Sequence, residues 1–188
     1  MEAVRVEKHY TYADYCTWDD GTRWELIDGV AYAMAGASEV HQTVSGEIFG
    51  QLWESLKDSP CRVFFAPFDV RLNAEGADDT VVQPDILVVC DSSKLETGKC
   101  VVGAPDFIIE ILSPASVKHD WKTKKRLYQR SGVREYWIVD PDSKIVITHV
   151  LSNIGYTSQT YDDNDTAVPV EVLDGCTINL AEVFSEIV

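Results

Sequence analysis

Two carboxylates sit inside runs of residues that otherwise belong in a buried sheet, and this limits the possible folds more than any other feature. Asp85 interrupts Val81-Val82-Gln83-Pro84-Asp85-Ile86-Leu87-Val88-Val89, and Glu110 interrupts Phe107-Ile108-Ile109-Glu110-Ile111-Leu112. Mostly apolar runs of this length read as strands covered on both faces. Strand alternation puts Glu110 on a face with Ile108 and Leu112, and Phe107, Ile109 and Ile111 on the other. Neither face is wet, and a charged side chain is rarely buried unless it is paired or bound to a metal. Pro84 cannot donate to a ladder, so it marks a bend or an edge that would aim Asp85 into a cleft. Either carboxylate alone reads as a solvated strand end or as the partner of a buried arginine. Two of them, in neighbouring strands, point to a site. Close carboxylates do not both stay ionised without a cation. No His or Cys is paired with them in sequence, so the expected ion is a hard one held by oxygen, Mg²⁺ or Mn²⁺.

The cationic charge of the chain is concentrated further on. Lys and Arg total 16 and Asp and Glu total 31, giving a net charge of -15. Residues 117–134 hold Lys118, Lys122, Lys124, Lys125, Arg126, Arg130 and Arg134 against one acid, Asp120, and so carry +6, which leaves -21 elsewhere. A solvated helix face accounts for Lys122, Arg126 and Arg130. Lys124 is different. At about 100° per residue it lies near the centre of the apolar stripe marked by Trp121, Leu127 and Tyr128, while Lys122 and Arg126 point away. A lysine facing a core needs an anion. Asp85 and Glu110 are candidates, and Asp120 is a nearer one.

The remaining elements frame this pair. Trp24–Met34 reads as two strands about an Asp28-Gly29 turn. Residues 38–57 read as a helix capped by Ser38, with Val44, Ile48, Leu52 and Leu56 on one face. Arg62–Leu72 and Thr80–Cys90 read as one strand each, joined by a polar loop at Asn73–Asp79. Ala104–Leu112, a basic helix from Val117 to Ser131 stopped by Gly132, and strands at Glu135–Asp140 and Ile145–Leu151 follow. Further short strands and a last helical turn complete one α/β domain spanning residues 1–188, with a mixed sheet flanked by helices in the order α-β-β-β-α-β and extra strands. No apolar run reaches membrane-spanning length, and the first residues lack the basic start and apolar stretch of a signal peptide. The five cysteines are odd in number and widely spaced, and read as separate thiols in a reducing cytoplasm.

In order, Trp24-Glu25-Leu26-Ile27-Asp28-Gly29, His41-Gln42, Asp69-Val70-Arg71-Leu72, Gln83-Pro84-Asp85-Ile86, Ile109-Glu110-Ile111-Leu112-Ser113-Pro114, Asp120-Trp121-Lys122-Thr123-Lys124 with Tyr128, and Gly132–Pro141 span most of the chain. This set resembles the PD-(D/E)XK nuclease superfamily and, within it, the Uma-type restriction endonucleases. The resemblance implies a restriction-endonuclease-like core. It makes Asp85 and Glu110 the metal-holding acids, together with the backbone carbonyl of Ile111. The superfamily lysine is expected two residues after the Glu, where this chain has Leu112, and Lys124 matches the displaced lysine of Uma-type sequences. The implied activity is Mg²⁺- or Mn²⁺-dependent hydrolysis of nucleic acid, with DNA as substrate, by a cytoplasmic homodimer. Asp120 would hold Lys124 in place, and Lys118, Lys122 and Arg126 would meet the phosphate backbone. His41, at the start of the first long helix, could flank the cleft, but in such a place it reads as a capping or surface residue and is left out of the site. The aromatic residues Tyr10, Tyr12, Tyr15, Trp18 and Trp24 exceed what one small sheet needs and add to the expectation of a dimer. The alternative is a nuclease-fold interaction protein without catalysis. A two-carboxylate glycosidase would need no such lysine.

Overall fold

The computed structural model describes residues 8–96, 99–113 and 120–187. Prolines divide what the sequence presents as two long strands. Arg62–Leu72 forms β3 (Arg62–Phe65) and β4 (Asp69–Arg71), with Pro67 between them. Thr80–Cys90 forms β5 (Val81–Val82) and β6 (Ile86–Val89), with Pro84 between them. In each case the expected single strand is two strands in different sheets. A proline lacks the N–H that a continuing ladder requires, so the chain leaves one sheet there and joins another. The two crossing segments touch: the Ala66 N–H donates to the Asp85 carbonyl at 3.0 Å.

The first sheet takes in β2 (Val30–Ala33), β1 (Trp24–Ile27), β5, β4, β8 (Cys100–Val102) and β7 (Leu95–Glu96), in that spatial order. The β1–β2 hairpin turns at Asp28 and Gly29, both with positive φ, as the predicted turn demands. The second sheet runs β12 (Gly155–Asp162), β11 (Ile145–Ser152), β10 (Glu135–Asp140), β9 (Phe107–Ile111), β6, β3. β9 and β10 are parallel, so a crossover must join them, and the basic helix α3 (Asp120–Ser131) lies on that path. β13 (Val168–Pro169) and β14 (Thr177–Ile178) pair separately. The remaining helices are α1 (Tyr12–Tyr15), α2 (Glu39–Ser55) and α4 (Leu180–Val183). Ser38 caps α2 as expected, its hydroxyl accepting the His41 N–H.

Both faces of the inner strands β6, β9 and β10 are covered, which explains their apolar sequences. One face carries Ile86, Val88, Phe107, Ile109 and Ile111, against Val44, Ile48 and Leu52 of α2 and the C-terminal residues. The other carries Leu87, Val89 and Ile108, against Leu127 and Tyr128 of α3 and Ile27, Val70, Val82 and Val101 of the first sheet. The alternation expected around Glu110 is therefore the alternation observed. The N-terminal aromatic rings pack largely on one another, Tyr10 and Trp24 each against Trp18, and Tyr15 against Tyr12 and Trp18. Among the described residues no helix is long and apolar enough to cross a membrane.

The expectation of five separate thiols needs correction. The β3–β6 register sets Arg62 across from Val89, which brings the flanking Cys61 and Cys90 together as a disulfide. Cys16, Cys100 and Cys176 are not in disulfides.

Two buried titratable groups in the second sheet pull stability in opposite directions with pH. Glu135 accepts the Trp137 indole N–H at 2.6 Å and the Val172 N–H at 3.0 Å, and burial raises its pKa to about 7. His149 packs between Tyr136 and Tyr156, and burial, with the Lys125 charge, lowers its pKa to about 4. From pH 4.5 to 7 the unfolded chain gives up the Glu135 proton before the folded one does, so this residue's contribution to stability falls as pH rises. From pH 4 to 6.5 the unfolded chain holds the His149 proton longer, so that contribution rises. We expect Glu135→Gln to gain about 3 kcal/mol relative to wild type as urea unfolding is moved from pH 4.5 to 7. His149→Gln should lose a similar amount from pH 4 to 6.5. A pH-independent difference for either variant would contradict the assignment.

Candidate active site

The register of β6 and β9 decides where the two sequence-predicted acids lie. Ile86 pairs with Ile109 and Leu87 with Ile108. One step beyond the last ladder pair, the same register sets Asp85 across from Glu110. Positions opposite one another in an antiparallel pair share a face, with Cβ atoms about 4.5–5.5 Å apart. By alternation from Leu87 and Ile108, that face is the one under α3. The third residue, Ile111, is at the same place: its N–H donates to Asp85 Oδ2 at 2.8 Å.

Helix periodicity brings in Lys124. Leu127 and Tyr128 are buried against the sheet and Lys124, on the same stripe, is 3% exposed, whereas Lys122 and Arg126 are in solvent. The Lys124 ammonium lies 2.9 Å from Glu110 Oε1 and 3.0 Å from Glu25 Oε1. Tyr128, one turn later, donates its hydroxyl to the same Glu110 oxygen. Burial, and then the Glu110 charge, raises the Tyr128 pKa far above the usual phenol range, so it remains a neutral donor. Leu112, in the position where the superfamily pattern expects lysine, packs against this same core. The cation therefore reaches the carboxylates from the helix, not from the strand. Lys118 and the side chains of Asp120 and Trp121 lie outside the described residues. Among the contacts of the described side chains, Lys124 meets Glu25 and Glu110.

Glu25 is the main residue that the sequence reading left without a role. It is fully buried in β1, where Oε1 accepts the Gln83 N–H at 2.9 Å as well as Lys124, and Oε2 has no hydrogen-bond partner among the described residues. Its signal was available: an acid followed at once by Leu26 and Ile27 is the same anomaly as Glu110. His41 is the second. Its Nε2 lies 3.1 Å from Asp85 Oδ2, with both side chains mostly buried. That hydrogen bond raises the His41 pKa, against the effects of burial and of the Arg23 charge. His41 precedes Val44 and Ile48 by three and seven residues, so the apolar stripe of α2 already placed it on the inward face.

Among the described residues no group of three or more His, Cys, Asp or Glu gathers closely enough to hold a metal unaided. The arrangement is a pair of carboxylates flanked by a buried ammonium and an imidazole at the junction of two sheets. Removing the ammonium leaves Glu25 and Glu110 without their shared cation, which costs about 3–5 kcal/mol for a buried pair. Lys124→Met should lower the unfolding free energy by that amount in urea titrations, and Glu25→Gln with Lys124→Met should cost less than the sum of the two single changes. A Lys124→Met protein as stable as wild type would show that the network does not hold this region together.

Comparisons with known proteins bear on the fold and the family. The crystal structure of "a putative nuclease belonging to DUF820" from Anabaena variabilis superposes with a TM-score of 0.77 at 20% identity, over 95% of this chain and 99% of that one, and so shares the fold. An uncharacterized protein of Synechocystis sp., slr1290, is 26% identical over 133 residues, which is 69% of this chain and 68% of that protein. The family Uma2, described as "Putative restriction endonuclease", matches residues 11–181. With that match across nearly its whole length, the chain belongs to the Uma2 family.

Proposed function

We propose that the chain is a metal-dependent nuclease that hydrolyses phosphodiester bonds in DNA, and that Asp85, Glu110 and Lys124 carry the reaction. The observation that supports this most is the placing of a buried lysine ammonium 2.9 Å from a carboxylate whose register partner is a second carboxylate on the neighbouring strand.

The donor set fits a hard divalent cation. Asp85 and Glu110 offer carboxylate oxygens, and Asp85 uses only Oδ2 in its contacts with Ile111 and His41. Mg²⁺ and Mn²⁺ take one or two carboxylates and fill their remaining positions with waters, carbonyls and phosphate oxygens. Asp85, Glu110 and the carbonyl of Ile111 would hold the ion. When bound, the cation supplies Lewis acidity toward a non-bridging phosphate oxygen and lowers the pKa of a water.

The chain's own groups do the rest. Lys124 orients the attacking water or meets the charge that builds on the phosphorus oxygens, and its ammonium is already fixed there by Glu25 and Glu110. Tyr128 fixes the Glu110 carboxylate, and the Ile111 N–H and His41 fix Asp85. The exposed Lys122 and Arg126, on the outer face of α3, would meet backbone phosphates without reading sequence. Arg130 and Arg134 are already paired, with Asp28 and Asp106.

Supercoiled plasmid incubated with Mg²⁺ or Mn²⁺ should be nicked or linearised, and EDTA should stop it. Asp85→Asn keeps the side chain's shape and should abolish cutting. Lys124→Ala should slow it by about 10²-fold or more. An RNA substrate in parallel reports the choice of nucleic acid. Cutting that survives EDTA, or that is equal in Asp85→Asn protein with an unchanged circular dichroism spectrum, would overturn the proposal.

A further inference from the structure

Three of the described arginines are neutralised by carboxylates. Arg71 pairs with Asp78, Arg130 with Asp28 and Arg134 with Asp106. Arg23 is held differently. Its Nε and Nη2 both donate to one neutral acceptor, Gln83 Oε1, at 3.0 and 2.9 Å. Among the described residues it makes no ion pair, although the chain has 31 acids against 16 Lys and Arg. A carboxylate in place of the Gln83 amide would orient the guanidinium equally well and cancel its charge. The amide orients it and leaves the charge in place.

Gln83 is itself anchored. Its Nε2 donates to Asp69 Oδ1 at 2.8 Å and to the Tyr15 hydroxyl at 3.1 Å, and Tyr15 donates to the same Asp69 oxygen at 2.9 Å. Its backbone N–H is on Glu25 Oε1, the oxygen that also receives Lys124. Arg23 is two residues before Glu25, and Gln83 is two residues before Asp85. The anchored arginine therefore stands beside both ends of the carboxylate site, and its charge is felt at His41, which contacts Asp85. The side chain is exposed. With Nε and one Nη2 hydrogen committed to Gln83, the remaining edge of the fork, Nη1 with the other Nη2 hydrogen, has the geometry that binds two phosphate oxygens at once.

We propose that Arg23 binds a backbone phosphate of the nucleic acid strand next to the one being cut. This rests on the nuclease function proposed above and adds a strand-positioning contact to it. Gln83 acts through Arg23 by setting the plane of the guanidinium.

The test is fluorescence anisotropy with a labelled DNA duplex in Ca²⁺, across a NaCl series, for wild type, Arg23→Gln and Arg23→Lys. Arg23→Gln should bind about tenfold more weakly, the loss of one charged hydrogen-bonded contact. Its log K against log salt should be shallower by about 0.9, the share of one phosphate. Arg23→Lys should recover the slope but not the full affinity, since a point charge replaces a fork. Calorimetric Mn²⁺ affinity should not fall in either variant. Arg23→Gln protein with wild-type affinity and slope would overturn the proposal while leaving plasmid cutting, and so the nuclease function, intact. Wild-type protein that neither binds nor cuts would remove both. Inorganic phosphate that competes only when Arg23 is present, with DNA binding unaltered by its loss, would assign the residue to a free anion and also overturn the strand contact.

Discussion

The Lys124 ammonium is the interaction on which the rest depends. It is almost fully buried, and its anions come from different layers: Glu25 from β1 of the first sheet and Glu110 from β9 of the second. A buried charge without a partner is too costly to persist, so α3 can dock only where both acids are present, and the sheets can pack only where the lysine arrives. Such pairs add little to stability compared with an apolar replacement, but breaking one is expensive. The network thus acts chiefly on specificity of packing. It also presents a cation beside a carboxylate, which is what the proposed hydrolysis uses.

Backbone constraints explain why the second carboxylate is there. Pro67 and Pro84 end ladders and send the chain from one sheet to the other and back, with the β4–β5 hairpin between them. Asp85 is the first residue after the second crossing. Its backbone is fixed by Ala66 and its side chain by the Ile111 N–H. The apolar residues on either side hold β6 in the buried sheet while the proline frees one carboxylate at its end.

What was legible in the sequence follows from how local each signal is. The face of Glu110 and the inward turn of Lys124 depend only on strand and helix periodicity, and both appear in the structure as read. The helix capped by Ser38 and the hairpin at Asp28-Gly29 are equally local. The division of Arg62–Leu72 and Thr80–Cys90 was missed because alternation does not say which sheet a strand joins, although both prolines were visible. Glu25 meets Lys124 across 99 residues, and His41 meets Asp85 across 44, in contacts that no window of sequence reports. The Cys61–Cys90 bridge was missed for the same reason. It follows from the β3–β6 register, whereas cysteine number and spacing pointed to free thiols. The N-terminal aromatics, from which a second copy was expected, pack on one another and stay half-exposed.

The central claim is that Asp85 and Glu110 together hold a divalent cation. Calorimetric titration of Mn²⁺ into wild-type protein and into the Asp85→Asn, Glu110→Gln double variant tests it most directly, because both replacements keep side-chain volume and remove the charge. The account predicts a saturable site in wild type that is lost in the double variant. Equal Mn²⁺ affinity in the two proteins would contradict it.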